Sequence, residues 1–314
     1  MDDLEVRELR YFVAVAEELN FSRAAQRLGM AQPPLSRAIR GLERRLAVQL
    51  FERNTRQVTL TAAGQTLLEQ AAVALDVVSA VARRTRRAGA STPSLVVTAK
   101  PGVTTGLLKR IVDSYTTLPA TPPVEILVSG YRQQADMVRD GRADLALLSS
   151  PYDRRGLEAE PLTTELRVAA LPSDHELAQR GALRCQDLQG LPIPQWPESS
   201  PAERRYWSGR DRSWSEIGSV TPEPAEPVSG PVVSDSAQLL EVVGLGQAVA
   251  LIPSSVARCN PRPDIAYRPV SDASPYTTEI AWPEGSRAQP IALFVRTAIN
   301  LTADELDRDY ADVS

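Results

Sequence analysis

The chain has 314 residues, 43% hydrophobic and 24% charged, with a net charge of −4 and two cysteines. That length buries sizeable cores without covalent staples, and Cys185 and Cys259 are too far apart for a CxxC zinc site or a disulfide scaffold. The net charge conceals an asymmetry: residues 20–60 hold eight Arg and two Glu, a local +6, so the remainder carries −10. A basic module on an acidic protein points to nucleic-acid binding confined to that module.

Leu4–Leu19 sets Leu9, Phe12, Val13 and Ala16 on one face and predicts a first helix. Asn20 or Ser22 caps a second, whose Ala24, Ala25 and Leu28 suit close helix crossing, and Gly29 turns the chain. Gln32-Pro33-Pro34 opens a third helix, because proline is tolerated where early N–H groups lack intrahelical partners. At about 100° per residue, Leu35, Ile39, Leu42 and Leu46 form an apolar stripe, while Pro33, Arg37, Arg40 and Arg44 point the opposite way. One face packs; the other offers guanidinium groups from a helix short enough for a DNA major groove.

Val48–Arg53, a polar turn at 54–57 and Val58–Leu60 read as a β-hairpin wing. Thr61 then caps a helix through about Arg87, with Leu67, Ala71, Ala74, Leu75, Val78, Val81 and Ala82 in one stripe. This rod is about 40 Å long and is expected to pack on a second copy of itself, the alternative being a helix lying on its own domain. Gly89-Ala90-Ser91-Thr92-Pro93 forms a hinge.

From Ser94 the pattern changes to short apolar strands at Leu95–Val97, Val124–Val128 and Ala143–Leu148, with helices at Thr105–Tyr115 and Arg132–Asp140 between them. This βαβαβ order predicts parallel strands with right-handed crossovers. Further strands are expected at Arg167–Leu171, Ala248–Pro253, Ile265–Val270 and Thr277–Trp282, and a terminal helix near Ile291. The proline-rich acidic run 221–227 reads as a surface loop or mobile insertion.

Gln32 and Arg37 are the candidates for reading base edges, since glutamine bonds bidentately to adenine and arginine to guanine. Pro33 and Pro34 are placed to press on thymine methyls, and Ser36, Arg40 and Arg44 suit phosphates. Arg53 and Arg56 on the wing suit a minor groove, whereas Arg45 is as readily an ion-pair partner of Glu43 or a neighbouring helix. In a doubly wound fold a ligand sits at the carboxyl ends of strands. There Lys100, Gly102, Thr104 and Thr105 form a loop opening a helix, suited to an anion, with simple capping by either threonine as the alternative. Ser129, Ser149 and Ser150 at later strand ends are further effector candidates, as is Trp196, which serves the core equally well. No catalytic residues, metal site or cofactor are expected: His175 is the only histidine and sits in a turn, and Gly244-Leu245-Gly246 precedes a strand rather than linking strand to helix.

The stretch from Leu9 to Gly64, LRYFVAVAEELNFSRAAQRLGMAQPPLSRAIRGLERRLAVQLFERNTRQVTLTAAG, closely resembles the winged helix-turn-helix of bacterial LysR-type transcriptional regulators. DGRADLAL at 140–147, LPSDHELA at 171–178 and VVGLGQAVALIPSSVA at 242–257 agree in order. The resemblance implies an α/β multidomain chain: a winged helix-turn-helix at 1–61, a dimerisation linker helix and hinge at 62–90, and a periplasmic-binding-protein-like effector domain at 91–314. Its subdomain I is expected at about 91–165 and 271–314, and subdomain II at about 166–270. The implied partners are a promoter operator in double-stranded DNA, a small-molecule effector of anionic character, RNA polymerase, and further copies forming a dimer through the linker and usually a tetramer. In relatives that sense benzoate or muconate, carboxylate-holding positions fall here on Gly102, Tyr131 and Ser149, so the same effector is not expected; an effector-independent constitutive regulator is the alternative. The acidic, helical N-terminus is unlike a signal peptide, and no apolar run reads as long enough to span a bilayer, so a cytoplasmic, nucleoid-associated protein is expected.

Overall fold

The computed structural model describes residues 4–53, 58–100, 102–149, 151–211 and 228–311, except the side chains of Arg53 and of residues 304–311. The wing tip with Arg56, the Arg53 side chain, Ser150 and the run 221–227 lie outside what is described. Contacts cluster into two units, Met1–Ala90 with Arg139–Arg142, and Ser91–Val138 with Ala143–Ser314.

The N-terminal unit begins with α1 (Val6–Glu18), α2 (Phe21–Arg27) and α3 (Gln32–Leu46). Asn20 caps α2, its Oδ1 accepting the N–H groups of Ser22 and Arg23 at 2.9 and 3.0 Å. Gly29 turns the chain at φ +65°, a conformation that glycine adopts without a Cβ penalty. Phe12, Val15, Leu35, Ile39, Leu42 and Leu50 are buried together, so the stripe on α3 faces the core as its spacing requires. The wing pairs β1 (Phe51–Arg53) with β2 (Val58–Leu60) antiparallel. β1 starts later than the sequence suggests, because the Glu43 carboxylate on α3 accepts the N–H groups of Leu50 and Phe51 at 3.1 and 3.3 Å before pairing begins.

Helix α4 (Ala62–Ala88) starts at Thr61, whose Oγ1 accepts the Gly64 N–H at 3.0 Å and donates to the Gln49 carbonyl at 2.7 Å. Its stripe is divided. Leu67, Leu68, Ala71, Ala74 and Leu75 join the core under α1, so this half lies on its own domain, which corrects the expectation that the whole stripe packs on a second copy. Farther along, Val78 and Val81 of the stripe are 36% and 61% exposed, as is the neighbouring Val77 at 55%. By length and composition α4 is also apolar enough to cross a membrane, which corrects the reading that no run is. Packing of its first half on α1 accounts for that composition.

The second unit holds two sheets. β3 (Leu95–Ala99), β4 (Val124–Val128), β5 (Leu145–Ser149), β6 (Leu157–Glu165) and β12 (Tyr276–Pro283) form one, in the order β4-β3-β5-β12-β6. α5 (Thr105–Thr116) and α6 (Gln133–Arg139) make the crossovers, and β3 runs parallel to β4 and β5 as expected. β12 is antiparallel to both β5 and β6, so the sheet is mixed. β6 is legible only in hindsight: LEAEPLTTE buries just Leu157 and Leu162, and the register shifts opposite its Pro161.

The other sheet is antiparallel, β10 (Ala250–Pro253), β7 (Arg167–Pro172) and β11 (Ile265–Pro269) in the order β10-β7-β11. Between its strands lie β8 (Ile193–Gln195), α7 (Pro201–Trp207), β9 (Ser229–Val232), α8 (Ser236–Gly244) and α9 (Ser254–Cys259), and α10 (Gln289–Ala311) ends the chain. The chain crosses between sheets from Glu165 to Arg167 and returns between Pro269 and Tyr276.

At the first crossing Arg167 is fully buried. Its guanidinium donates to the Ser274 carbonyl at 2.6 Å, the Tyr206 carbonyl at 2.7 Å and the Ser274 hydroxyl, lies 3.4 Å from the Asp211 carboxylate, and sits 3.9 Å over the Tyr206 ring. Both crossings and α7 are thereby tied to one side chain. His175 occupies the turn foreseen for it, its Nδ1 accepting the Leu177 N–H at 3.1 Å.

Candidate functional site

Two groups of side chains are candidates. On α3, Gln32, Pro33, Arg37, Arg40 and Arg44 are exposed, while Pro34 and Ser36 are half-buried. Arg37, Arg40 and Arg44 have no ion pair among the described residues, and with Glu43, Val48 and Gln49 they line an open depression of about 620 Å³. Arg45 differs: it pairs with Glu8 of α1, and that guanidinium holds the Glu8 carboxyl below the usual carboxylate range. One α3 arginine thus fastens the helix down and three are left to meet an external anion.

The second group lies at the ends of β3, β4 and β5. Lys100 Nζ is 5.9 Å from the Tyr131 ring centroid and 5.4 Å from that of Tyr276, with no carboxylate paired to it among the described residues. Tyr131 stacks on Trp196 with centroids 4.2 Å apart and planes inclined by 17°. Its hydroxyl accepts the Trp207 Nε1–H at 3.0 Å. Burial pushes the Tyr131 and Tyr206 phenols up, so both are neutral at physiological pH. The Tyr276 hydroxyl is buried without a hydrogen-bond partner among the described residues.

Arg132 follows Tyr131 in a left-handed conformation, φ +66°. It pairs at 3.0 Å with the buried Glu203 of α7 and donates to the carbonyls of Pro197 and Glu198. The Tyr131 loop is therefore fastened to the segment that carries Trp196 and Trp207.

Sequence candidates fare unevenly here. Thr104 is the residue before α5 and is 2% exposed, but its hydroxyl makes no capping bond; it donates to the Lys100 carbonyl at 3.3 Å. Gly102, at φ +99°, and Thr105 are exposed. Ser129 turns into the interior, where Thr98 donates to its hydroxyl at 2.8 Å and Gln134 at 2.7 Å, so it is occupied by structure rather than free for a ligand. Ser149 is half-buried opposite Thr278, and Trp196 is drawn into the aromatic cluster. Burial pushes the Cys185 thiol up to about 12, and both cysteines are free.

The family described as a bacterial regulatory helix-turn-helix protein of the lysR family matches residues 6–65, and the LysR substrate binding domain matches residues 88–302. The chain is a LysR-type transcriptional regulator. Similar relatives span it almost fully. The Hca operon transcriptional activator HcaR of Escherichia coli (strain K12) is 28% identical over 293 residues, covering 93% of this chain and 96% of its own. The HTH-type transcriptional regulator ShiR of Corynebacterium glutamicum (strain R) is 32% identical over 295 residues, covering 90% and 94%. A crystal structure of full-length BenM matches with a TM-score of 0.53 at 28% identity, covering 96% of this chain and 98% of that one.

The regulator's helix-turn-helix is the DNA-binding module, and its C-terminal unit is the substrate-binding domain. The protein is not an enzyme. Among the residues clustered around Tyr131 in this LysR-type regulator, Trp207, Tyr276, Arg132 and Glu203 are not evident from sequence. Their spacing along the chain carries no motif; only the pairing of strand ends brings them together. Tyr131 is visible in sequence solely as a departure from the position that holds a carboxylate in some relatives.

Proposed function

We propose that the regulator binds an interrupted inverted repeat in a promoter through α3, and that an effector in the C-terminal cleft controls it. The observation that supports this reading is the row of exposed Arg37, Arg40 and Arg44, without an ion pair among the described residues, opposite the buried Leu35, Ile39 and Leu42. Gln32 and Arg37 read base edges, Pro33 and Pro34 meet thymine methyls, and Ser36, Arg40 and Arg44 hold phosphates. Arg53 and Arg56 are assigned to the wing's minor-groove contact on sequence grounds alone.

The exposed Val77, Val78 and Val81 on the distal half of α4 support pairing with a second copy, which presents two α3 helices to two half-sites. Two such dimers make a tetramer, and the effector shifts a pre-existing equilibrium between two tetramer shapes that bend DNA differently. The setting is the cytoplasmic nucleoid, with RNA polymerase as partner. Lys100, Gly102, Thr104, Thr105, Ser149, Ser150 and Trp196 remain the effector contacts, with Ser129 acting behind them. The stacked Tyr131 and Trp196 favour one second reading, a cleft permanently closed and a regulator that needs no effector.

Arg37→Ala is expected to weaken operator binding by about 1–3 kcal/mol and to relax discrimination at one base pair per half-site. Arg40→Ala is expected to weaken all sequences alike. A footprint with a base-by-base specificity profile separates the two, and an unchanged profile in Arg37→Ala would refute the base-reading role.

A further inference from the structure

We propose that Tyr131 is an internal occupant of the effector cleft, and that the effector is a planar aromatic molecule bearing an anionic oxygen which displaces it. This rests on the reading of the C-terminal unit as the effector domain. Tyr131 is held as a ligand would be. Its ring lies against the Trp196 indole at 4.2 Å, its oxygen accepts from Trp207 at 3.0 Å, and the Lys100 ammonium stands 5.9 Å from its centroid. Whatever takes its place meets the same aromatic face, the same donor and the same cation.

Tyr131 engages the Trp196 face and the Trp207 donor and stands beside Lys100 all at once, so a ligand that uses these groups enters by exchange. Two features are incomplete while Tyr131 stays. Lys100 faces two rings, Tyr131 and Tyr276, and no carboxylate among the described residues. The buried Tyr276 hydroxyl has no partner there either. An anionic oxygen on the incoming ring supplies what both lack. Exchange is also mechanically simple, since Tyr131 sits between Gly130 and the left-handed Arg132, and withdrawing it releases that strained residue. Arg132 holds Glu203 and the carbonyls after Trp196, so movement of Tyr131 is transmitted to α7.

The probe is 4-hydroxybenzoate, which combines the tyrosine ring with a carboxylate, titrated calorimetrically into the full-length protein. Affinity in the wild type is lowered by the fraction of molecules in which Tyr131 is withdrawn. Tyr131→Ala is expected to bind at least tenfold more tightly, and Tyr131→Phe, which loses only the bond to Trp207, a few-fold more tightly. Adding Lys100→Met to Tyr131→Ala is expected to weaken 4-hydroxybenzoate about tenfold and to leave the uncharged 4-methylphenol unaffected. Cyclohexanecarboxylate, anionic but not planar, gains nothing from Tyr131→Ala.

Equal affinity of wild type and Tyr131→Ala overturns the proposal, as does no binding to either. Should Tyr131→Ala fail to fold, Tyr131→Phe decides, and wild-type affinity in it overturns the proposal. The operator footprint of the wild type is recorded in parallel: its presence alongside failed titrations sinks the internal occupant alone, whereas its absence sinks the regulator reading itself.

Discussion

Replacing Arg167 by Met is expected to destabilise the C-terminal unit by about 3–5 kcal/mol. The methionine fills much of the volume but takes one donor away from each of the Ser274 and Tyr206 carbonyls and the Asp211 carboxylate, of which Tyr206 keeps the Gly209 N–H and Asp211 the Ser274 hydroxyl. Arg167→Lys is expected to recover little, because an ammonium on a flexible stem cannot span three acceptors while stacking on the Tyr206 ring. The loss is concentrated where the chain crosses between the two sheets, so the crossing strands separate before either sheet melts. Denaturant unfolding followed by tryptophan fluorescence checks this, since Trp207 lies in α7 beside Tyr206. A change below about 1 kcal/mol would show that the buried guanidinium is not what ties the crossings together.

Gly64→Ala is expected to unfold the N-terminal unit or cost it about 3 kcal/mol, the upper end of overpacking effects. A Cβ built on Gly64 falls 2.1 Å from the Leu50 carbonyl oxygen and 2.9 Å from Leu60 Cδ2. The carbonyl cannot retreat cheaply: it accepts the Thr61 N–H at 3.0 Å, and the Leu50 N–H is held by Glu43 at 3.1 Å. Moving it breaks the α4 cap and shifts β1. The matched control is Gly41→Ala on α3, where a Cβ meets nothing within 4 Å. That change is expected to gain about 1 kcal/mol of helix propensity. Thermal denaturation of the two variants by circular dichroism should move in opposite directions. Equal midpoints would mean that the approach of α4 to the Leu50 backbone is not a constraint.

The helix-turn-helix was legible because its signals are local. A 3.6-residue stripe, an Asn20 cap, a Gly29 turn and prolines at the start of α3 each act within a few residues, and each is realised where it is written. The parallel β3, β4 and β5 were legible for the same reason, as apolar runs separated by amphipathic helices. β6 was hidden because an edge strand buries few side chains and needs no apolar run. The fate of α4 was half legible: its stripe called for a covering partner, but did not show that α1 covers Leu67 to Leu75 while Val78 and Val81 stay exposed.

The cluster at the strand ends was least legible. Lys100, Tyr131, Trp196, Trp207 and Tyr276 are spread over 177 positions of the chain and meet only through the sheet order. Serines at strand ends looked like ligand contacts by position, yet Ser129 is consumed by Thr98 and Gln134. Side-chain direction at a strand end depends on the neighbouring strand, which no local pattern records. The aromatic cluster has the opposite property: none of its members stands in a motif, and their proximity alone gives them meaning.

The recognition role of α3 is tested most directly by incubating the purified protein with sheared genomic DNA and random duplex at moderate ionic strength and sequencing what it retains. A small set of fragments enriched roughly 10³-fold or more over random duplex is expected, sharing an inverted repeat whose half-sites are spaced by whole helical turns. Retention of genomic and random duplex to the same extent would contradict it.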